Sequence, residues 1–553
     1  MTTTTYPRPQ HGTWPADRDG ARAFSWTGAQ RLLLAAAVAV ALALRLSALD
    51  AYSLSDDELN KLSAIEAYRS GHFEANGEHP MLMKLAMWGS VSAVDALNRH
   101  VAADHAIPIE FALRLPNALA GAATTLAVFG VANLLFGQAV AAVASMVWAL
   151  DVNVIAINRI GKEDTFLLLF FLVAVLCYER GKRVGVVDPI GAQRWYGLSG
   201  AAFGLMVASK YMPHLLGIYA IFNTVTDRDP GANKPDPRSF YGLMAAAFLV
   251  ANPAIVLPGT WRYLGAYVHG DLLAHHGYLY RGQLFITDVP VSPLGVPVTY
   301  YLRLVATKVP FVVLSAAAGG VIEMFRRRDE RGFALLRVLT VLLVVPYSLM
   351  APKFLRYSLP MLTVLDVIAA IGLVSGVRWV LRKRWLSLPG RVLAAAAAVI
   401  VFGVGISTAA PAAAPFYSQF QNGIGVAVDP TGAAFPEESY DYGVREAVTA
   451  IAAAATRPGV IVSDVPTVVS HYLERIDRPD LKSRSLSSGA MPPDGDELWF
   501  VVQDEHTTFE NELLVAQLRA RERPWLEIRS GDRLALQVYR IERPRHRIER
   551  HCP

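Results

Sequence analysis

The 553 residues are 53% hydrophobic and only 18% charged, with a mean hydropathy of +0.31. A soluble chain can bury a large core, but it does not carry several uninterrupted apolar runs of roughly 20 residues, so the composition implies a polytopic membrane protein. The net charge of +5 is modest, its distribution says more than its sum, and no nucleic-acid partner is expected.

Residues 1–30 are polar and rich in Thr, Pro and Arg, which predicts a disordered cytoplasmic N-terminus. The run from Arg31 to Leu49 is longer than a signal-peptide core and lacks a convincing cleavage site, so it reads as an uncleaved first span. The stretch Asp50 to Trp88 then gathers acidic residues, a histidine and lysines at the expected membrane rim. Ser55 and Glu58 have the spacing of a capping box. Leu59, Leu62, Ile65 and Tyr68 continue at near-helical intervals, giving an amphipathic helix. Asp56 and Asp57 fall in its first turn, where the helix dipole favours anions by about 0.3–1 kcal/mol. Helix initiation alone would explain an isolated Ser-Asp-Asp-Glu; its place beside a span suggests more.

Further spans are expected at 112–135, 138–156, 165–179, 195–210, 211–225, 239–257, 309–325, 333–351, 358–377 and 389–408. The pair 195–225 reads equally as one long tilted helix, and the positive-inside rule arbitrates. Basic clusters lie at 180–194, 228–238, 326–331 and 378–391. Eleven spans place all four in the cytoplasm with the basic N-terminus, whereas ten would split them. The outer side then receives 50–111, 157–164, 258–308, the piece around 352–357 and everything from about 409 onward. The chain thus divides into a transmembrane part, 31–408, and an extracytoplasmic tail, 409–553, in an inner-membrane protein. In the tail, Val460–Asp464 and Leu498–Gln503 read as buried strands, with helical patterns at 442–456 and 509–521: a small α/β domain. It has no Gly-rich phosphate loop, so no cofactor is expected there. Cys177, in an apolar run, and Cys552, in the tail, form no disulfide framework.

Each outer connection carries polar residues that a plain linker does not need. The loop from Asn158 and Arg159 to Asp164 puts a carboxylate at a helix start beside the bilayer, where capping is an equally simple account. The large loop holds His269, Asp271, His275, His276, Tyr278, Tyr280 and Arg281. Adjacent histidines point to different sides of a helix and no ligand pattern supports them, so no metal is expected. Lys308 and Lys353 stand at span edges, where snorkelling to headgroups accounts for them.

The order Asp57-Glu58, His79-Pro80 with Lys84, Arg159 with Asp164, Ser209-Lys210-Tyr211 and Arg356-Tyr357 with Pro360 resembles the GT-C superfamily of polyprenyl-phosphate-sugar transferases, on the protein O-mannosyltransferase and aminoarabinose transferase branch. The resemblance covers residues 30–375. It implies a polytopic α-helical GT-C fold and a carboxylate at Asp57 that acts as base or positions the acceptor, with Asp56 as rival and Asp164 assisting. It also implies that His79 and Tyr357 face the lipid-linked phosphate, His79 standing where the aminoarabinose branch has lysine. Lys84, Arg159, Lys210 and Arg356 complete the expected phosphate set, and Glu58, His275 and His276 are expected near the substrates.

The residues suit that chemistry independently. A polyprenyl-phosphate sugar has a good leaving group, so the enzyme must deprotonate a hydroxyl and stabilise departing phosphate. A carboxylate does the first; Arg, Lys, His and Tyr do the second through charge-assisted hydrogen bonds. The partners implied are the lipid-linked donor, a lipid, glycan or protein acceptor, and membrane lipids. The competing readings are a transporter, which would place ionisable residues near the bilayer midplane among broken helices, and a non-catalytic assembly or sensor protein.

Overall fold

The computed structural model describes residues 28–102, 105–227, 233–269, 277–280, 283–286, 295–351, 353–385, 387–430, 435, 441–488, 497–504 and 511–541. The expected disordered N-terminus up to residue 27, Cys552, and His275 and His276 lie outside the described residues.

In chain order the first helices are α1 (Gly28–Leu46), α2 (Asp56–Arg69), α3 (Leu82–Asn98), α4 (Ile109–Phe136), α5 (Gln138–Leu150) and α6 (Val152–Asn158). Next come α7 (Asp164–Gly185), α8 (Pro189–Ser209), α9 (His214–Thr226), α10 (Pro237–Ala251) and α11 (Pro258–His269). A short hairpin, β1 (Gly277–Tyr280) and β2 (Gln283–Ile286), leads to α12 (Tyr300–Lys308), α13 (Phe311–Arg326), α14 (Arg331–Leu349), α15 (Leu359–Leu381) and α16 (Leu388–Ser407). Each of the eleven expected segments meets a helix. By length and composition, four of the described helices can cross a membrane, or five if a bent pair counts as one span. That pair corrects the segment at 138–156: α5 and α6 meet at 62°. The break falls at Asp151, whose carboxylate caps α6 by accepting from the amides of Asn153 and Val154.

Side-chain contacts show how the helices run. Asp164 and Lys182 lie at opposite ends of α7. Lys210, just after α8, pairs with the first, and Asp227, just after α9, pairs with the second. The chain therefore turns back after Lys210 to run alongside α7, which rules out one long helix over 195–225. At the Lys182 end, Arg331 of α14 closes a buried network, pairing with Glu179 at 3.0 Å and Asp227 at 2.6 Å.

Beyond α16 come α17 (Ala409–Ala413), α18 (Gly423–Val428), α19 (Val444–Ala454), β3 (Gly459–Ser463), α20 (Pro466–Ile476), β4 (Leu481–Ser485), β5 (Glu497–Gln503), α21 (Glu512–Arg521), β6 (Leu526–Ser530) and β7 (Arg533–Ile541). The strands form one five-stranded sheet in the order β4-β3-β5-β7-β6, parallel across β4-β3-β5 and antiparallel across β5-β7-β6. Both strands read from the sequence are found, and both are fully buried because helices cover each face. Strand alternation divides the two faces. Val460, Val462, Phe500 and Val502 pack with α21, whereas Ile461, Trp499 and Val501 share a cluster with α19 and α20. That second cluster runs on through Leu59, Leu62 and Ile65 of α2 to Ala112 and Leu113 of α4. The tail domain is thus seated on the outer helices by continuous apolar packing.

Reporter fusions placed after Arg328 and after Pro411 should report opposite sides of the membrane; the same side for both would refute the alternating count.

Candidate active site

Helix α2 starts where the sequence says it should. The Ser55 hydroxyl accepts from the Glu58 amide at 3.3 Å and the Glu58 carboxylate accepts from the Ser55 amide at 3.1 Å, completing the capping box. The carboxylate does more than cap. It also takes two hydrogen bonds from Arg114 of α4, at 2.8 and 2.7 Å, and one from the Gly161 amide at 2.9 Å. Burial alone would raise its pKa, but Arg114 and these amides outweigh burial and hold it below the usual carboxylate range. Both oxygens of Glu58 are thus engaged in holding the backbone and Arg114. A Cβ on Gly161 would stand 3.1 Å from the Glu58 Cγ and 2.9 Å from the Met87 Cε, so loop and helix approach closely here and a side chain would have to move both neighbours.

With α2 fixed, Asp57 and Lys61 lie one turn apart on the side that meets the loop after α6. Asp57 pairs with Lys162, and Lys61 with Glu163 at 3.2 Å. The next residue, Asp164, opens α7 and accepts from Lys210 at 2.7 Å. Three successive residues thus each meet a charge partner from another element. The loop is held from every other side too. Asn117 binds the Lys162 carbonyl at 2.7 Å, and Asn158 joins the Arg45 guanidinium to the Thr165 hydroxyl at 2.9 and 3.0 Å.

The Lys210 ammonium also lies 4.4 Å from the centre of the Tyr357 ring, and the Arg356 guanidinium stacks over Phe354 at 4.0 Å and Tyr357 at 5.4 Å. His79 feels Glu163, Lys61, Lys210 and Lys84, which places it in the same group. Burial pushes its imidazole down to about 3, so the ring is neutral at physiological pH. Glu163 behaves oppositely: burial would raise it, but His79 first, and then Lys61, Lys162 and Lys210, hold it well below the ordinary value. The structure therefore brings Asp57, Asp164, His79, Lys210, Arg356 and Tyr357 into one polar rim. Asp164 keeps one buried oxygen, Oδ2, without a hydrogen bond.

Asp57 and Asp56 part company. The Asp57 side chain is 47% exposed and turned to Lys162, whereas Asp56 accepts from Thr467 of α20 at 2.7 Å. Two further expected members of the phosphate set are committed to backbone carbonyls. The Arg159 guanidinium donates to the carbonyls of Leu44, Arg45, Ser47 and Ala48, closing the C-terminal end of α1, where orphan carbonyls collect, and stacks 5.0 Å from the Tyr417 ring. The Lys84 ammonium is fully buried and donates to the carbonyls of Asn76 and His79 at 2.5 and 2.9 Å, bracing the His79 loop from beneath. Snorkelling fails as well: Lys308 donates to the Ser418 carbonyl at 2.7 Å and Lys353 to those of Val296 and Met350, both buried. Lys61, Lys162 and Glu163 were absent from the expected site. The available signal was the charge pattern, acid then base four apart on a helix, facing base then acid in a loop.

The fold is shared with solved structures of membrane transferases. ArnT from Cupriavidus metallidurans in the apo state superposes with a TM-score of 0.51 at 16% identity, covering 93% of this chain and 98% of that chain. The same protein bound to undecaprenyl phosphate gives 0.51 at 15% identity, with the same coverage. The Archaeoglobus fulgidus oligosaccharyltransferase in its apo form gives 0.52 at 10% identity, over 80% of this chain and 63% of that one. Residues 108–256 match the family model described as dolichyl-phosphate-mannose-protein mannosyltransferase. No curated protein matches by sequence.

Glu58→Ala should destabilise the protein by about 3–5 kcal/mol, since it leaves the Arg114 guanidinium buried and uncompensated. Thermal unfolding in detergent, compared with Asp95→Ala at an exposed pair, reads the difference; equal effects would mean that the buried pair anchors nothing.

Proposed function

We propose that this protein is a membrane glycosyltransferase that moves a sugar from a polyprenyl-phosphate donor to a hydroxyl or amine acceptor on the outer face. The observation that carries the reading is the rim itself: a half-exposed carboxylate, Asp57, on a clamped helix beside a set of cationic and phenolic groups. The fold shared with ArnT and the family match over 108–256 support it.

In the proposed step the acceptor oxygen attacks the anomeric carbon while the bond from that carbon to the phosphate oxygen breaks. The acceptor proton passes to Asp57. The electron pair leaves with the phosphate, which Lys210, Arg356 and the Tyr357 hydroxyl stabilise by charge-assisted hydrogen bonds. His79, neutral before the donor arrives, donates a hydrogen bond or gains a proton beside the phosphate. Asp164 orients Lys210. One displacement inverts the anomeric centre and balances without a covalent intermediate, metal or cofactor. The lipid tail explains why the rim belongs at the bilayer edge, with the N-terminus cytoplasmic and the tail domain outside. The sugar is a hexose or pentose, and the acceptor a protein, glycolipid or glycan; mass spectrometry of envelope glycans from a deletion strain would identify both.

Asp57→Asn keeps the size of the side chain, so the protein should insert normally while turnover falls about 10²–10⁴-fold with donor binding intact. Asp56→Asn should do much less, because its carboxylate faces Thr467. Normal transfer by both variants would end the catalytic proposal, and a dead Asp56→Asn beside an active Asp57→Asn would move the role one residue back.

Arg356→Ala should weaken donor binding by about 1.5–3 kcal/mol, the usual worth of a hydrogen bond to a charged group, with a smaller effect on turnover. Unchanged donor dependence in a well-folded variant would make Arg356 a packing residue.

A further inference from the structure

Helices α19 and α20 of the tail domain meet the lead-in to α2 and the start of α4 by more than apolar packing. The Tyr472 hydroxyl of α20 accepts from the Leu54 amide at 2.8 Å and lies 2.8 Å from a carboxylate oxygen of Glu110, on the first turn of α4. A phenol has a single proton, so while accepting the amide it donates to Glu110. Arg445 of α19 reaches the same Glu110 oxygen at 3.1 Å, and its backbone amide donates to the Ser53 hydroxyl at 3.0 Å. Ser53, Leu54, Tyr472 and Glu110 are all buried, at 0%, 0%, 3% and 3% exposure. A domain merely resting on its neighbour has no reason to fix backbone amides in a dry interface.

What these contacts hold is the lead-in to α2. Arg114 grips that lead-in from the opposite side, donating to the carbonyls of Leu49, Tyr52 and Ser53. Leu54 stands directly before the cap residue, and Asp57 follows within the first turn. The first turn of a helix has unsatisfied amides and frays unless its lead-in is fixed. A shift of about 1 Å in a reacting group can cost about 100-fold in rate.

We propose that Tyr472 and Arg445 are positioning residues, through which the tail domain sets where the Asp57 carboxylate stands. The inference rests on the reading of Asp57 as the proton acceptor. It gives α19 and α20 a part in turnover rather than in donor binding, because the Tyr472 and Arg445 contacts go to the lead-in of α2 and to Glu110.

Tyr472→Phe removes one oxygen and keeps the ring in its apolar cluster. In the full-length protein in nanodiscs, undecaprenyl phosphate as probe gives the number of donor sites and their affinity. Turnover is measured with the polyprenyl-phosphate sugar fraction of the host membranes. Turnover per donor site should fall about 10–100-fold, with site number and affinity unchanged. A merely structural tyrosine would lower the number of sites and leave turnover per site as it was, which overturns the proposal. Thr467→Val, which frees Asp56 without touching the core, should lower turnover per site by a smaller factor; it carries the test if Tyr472→Phe does not fold, and unchanged turnover there again overturns the proposal. Asp57→Asn measured in parallel separates the two ideas. If it is inactive while both tail variants turn over normally, the positioning role alone is wrong. If it turns over normally, the reading of Asp57 fails and the positioning role falls with it.

Discussion

A guanidinium and a carboxylate taken out of water lose several kcal/mol of hydration each, and the pair is tolerable only if its geometry is good and its remaining hydrogen-bonding groups are satisfied. Arg114 and Glu58 meet both conditions. The guanidinium shares two bonds with the carboxylate and spends its others on the chain between α1 and α2. The carboxylate spends its remaining capacity on the helix cap and on Gly161. One pair therefore fixes three pieces of backbone: the lead-in to α2, the start of α4 and the loop before α7. The placement of Asp57 against Lys162, and of Lys61 against Glu163, follows from that registration.

Before any ligand arrives the rim is electrically matched. Asp57, Glu163 and Asp164 each already have an ammonium partner. An incoming anion must therefore share Lys210 with Asp164 instead of meeting a bare cation. In the proposed step a donor phosphate gains most by using Lys210 and the Tyr357–Arg356 stack together, because a lone anion gains little by competing with a carboxylate already at 2.7 Å.

Much of this could be read from the chain because local signals and global fold agree at those points. The capping box announced α2, apolar runs announced the long helices, and two continuous β-branched and aromatic runs announced the central strands of the tail sheet. The two-helix reading of 195–225 needed charge distribution, which is non-local, and the contacts of Lys210 and Asp227 agree with it. What the sequence hid was orientation. Arg159 and Lys84 sit among site residues in the linear order, yet the guanidinium turns back to a helix end and the ammonium turns inward to carbonyls. Residue type says that a cation is present, whereas only the packed backbone says which acceptors lie within its reach. The bend at Asp151 was hidden for a similar reason: apolar residues continue through it, and only the capping carboxylate interrupts the pattern.

The docking of α19 and α20 on residues 50–56 joins two stretches almost four hundred positions apart, Arg445 to Ser53 being separated by 392. A ribosome makes the α2 segment early and the tail domain late. For most of synthesis the helix bearing Asp57 must therefore wait, with the Leu54 amide and Glu110 lacking their tail partners. Only when the sheet has folded and seated itself does the interface dry out. A partly made chain would hold the contacts of Arg114 and Glu58 while lacking the last clamp on α2. Seating of the tail domain is the event that closes the contacts of Tyr472 and Arg445 on the lead-in to α2.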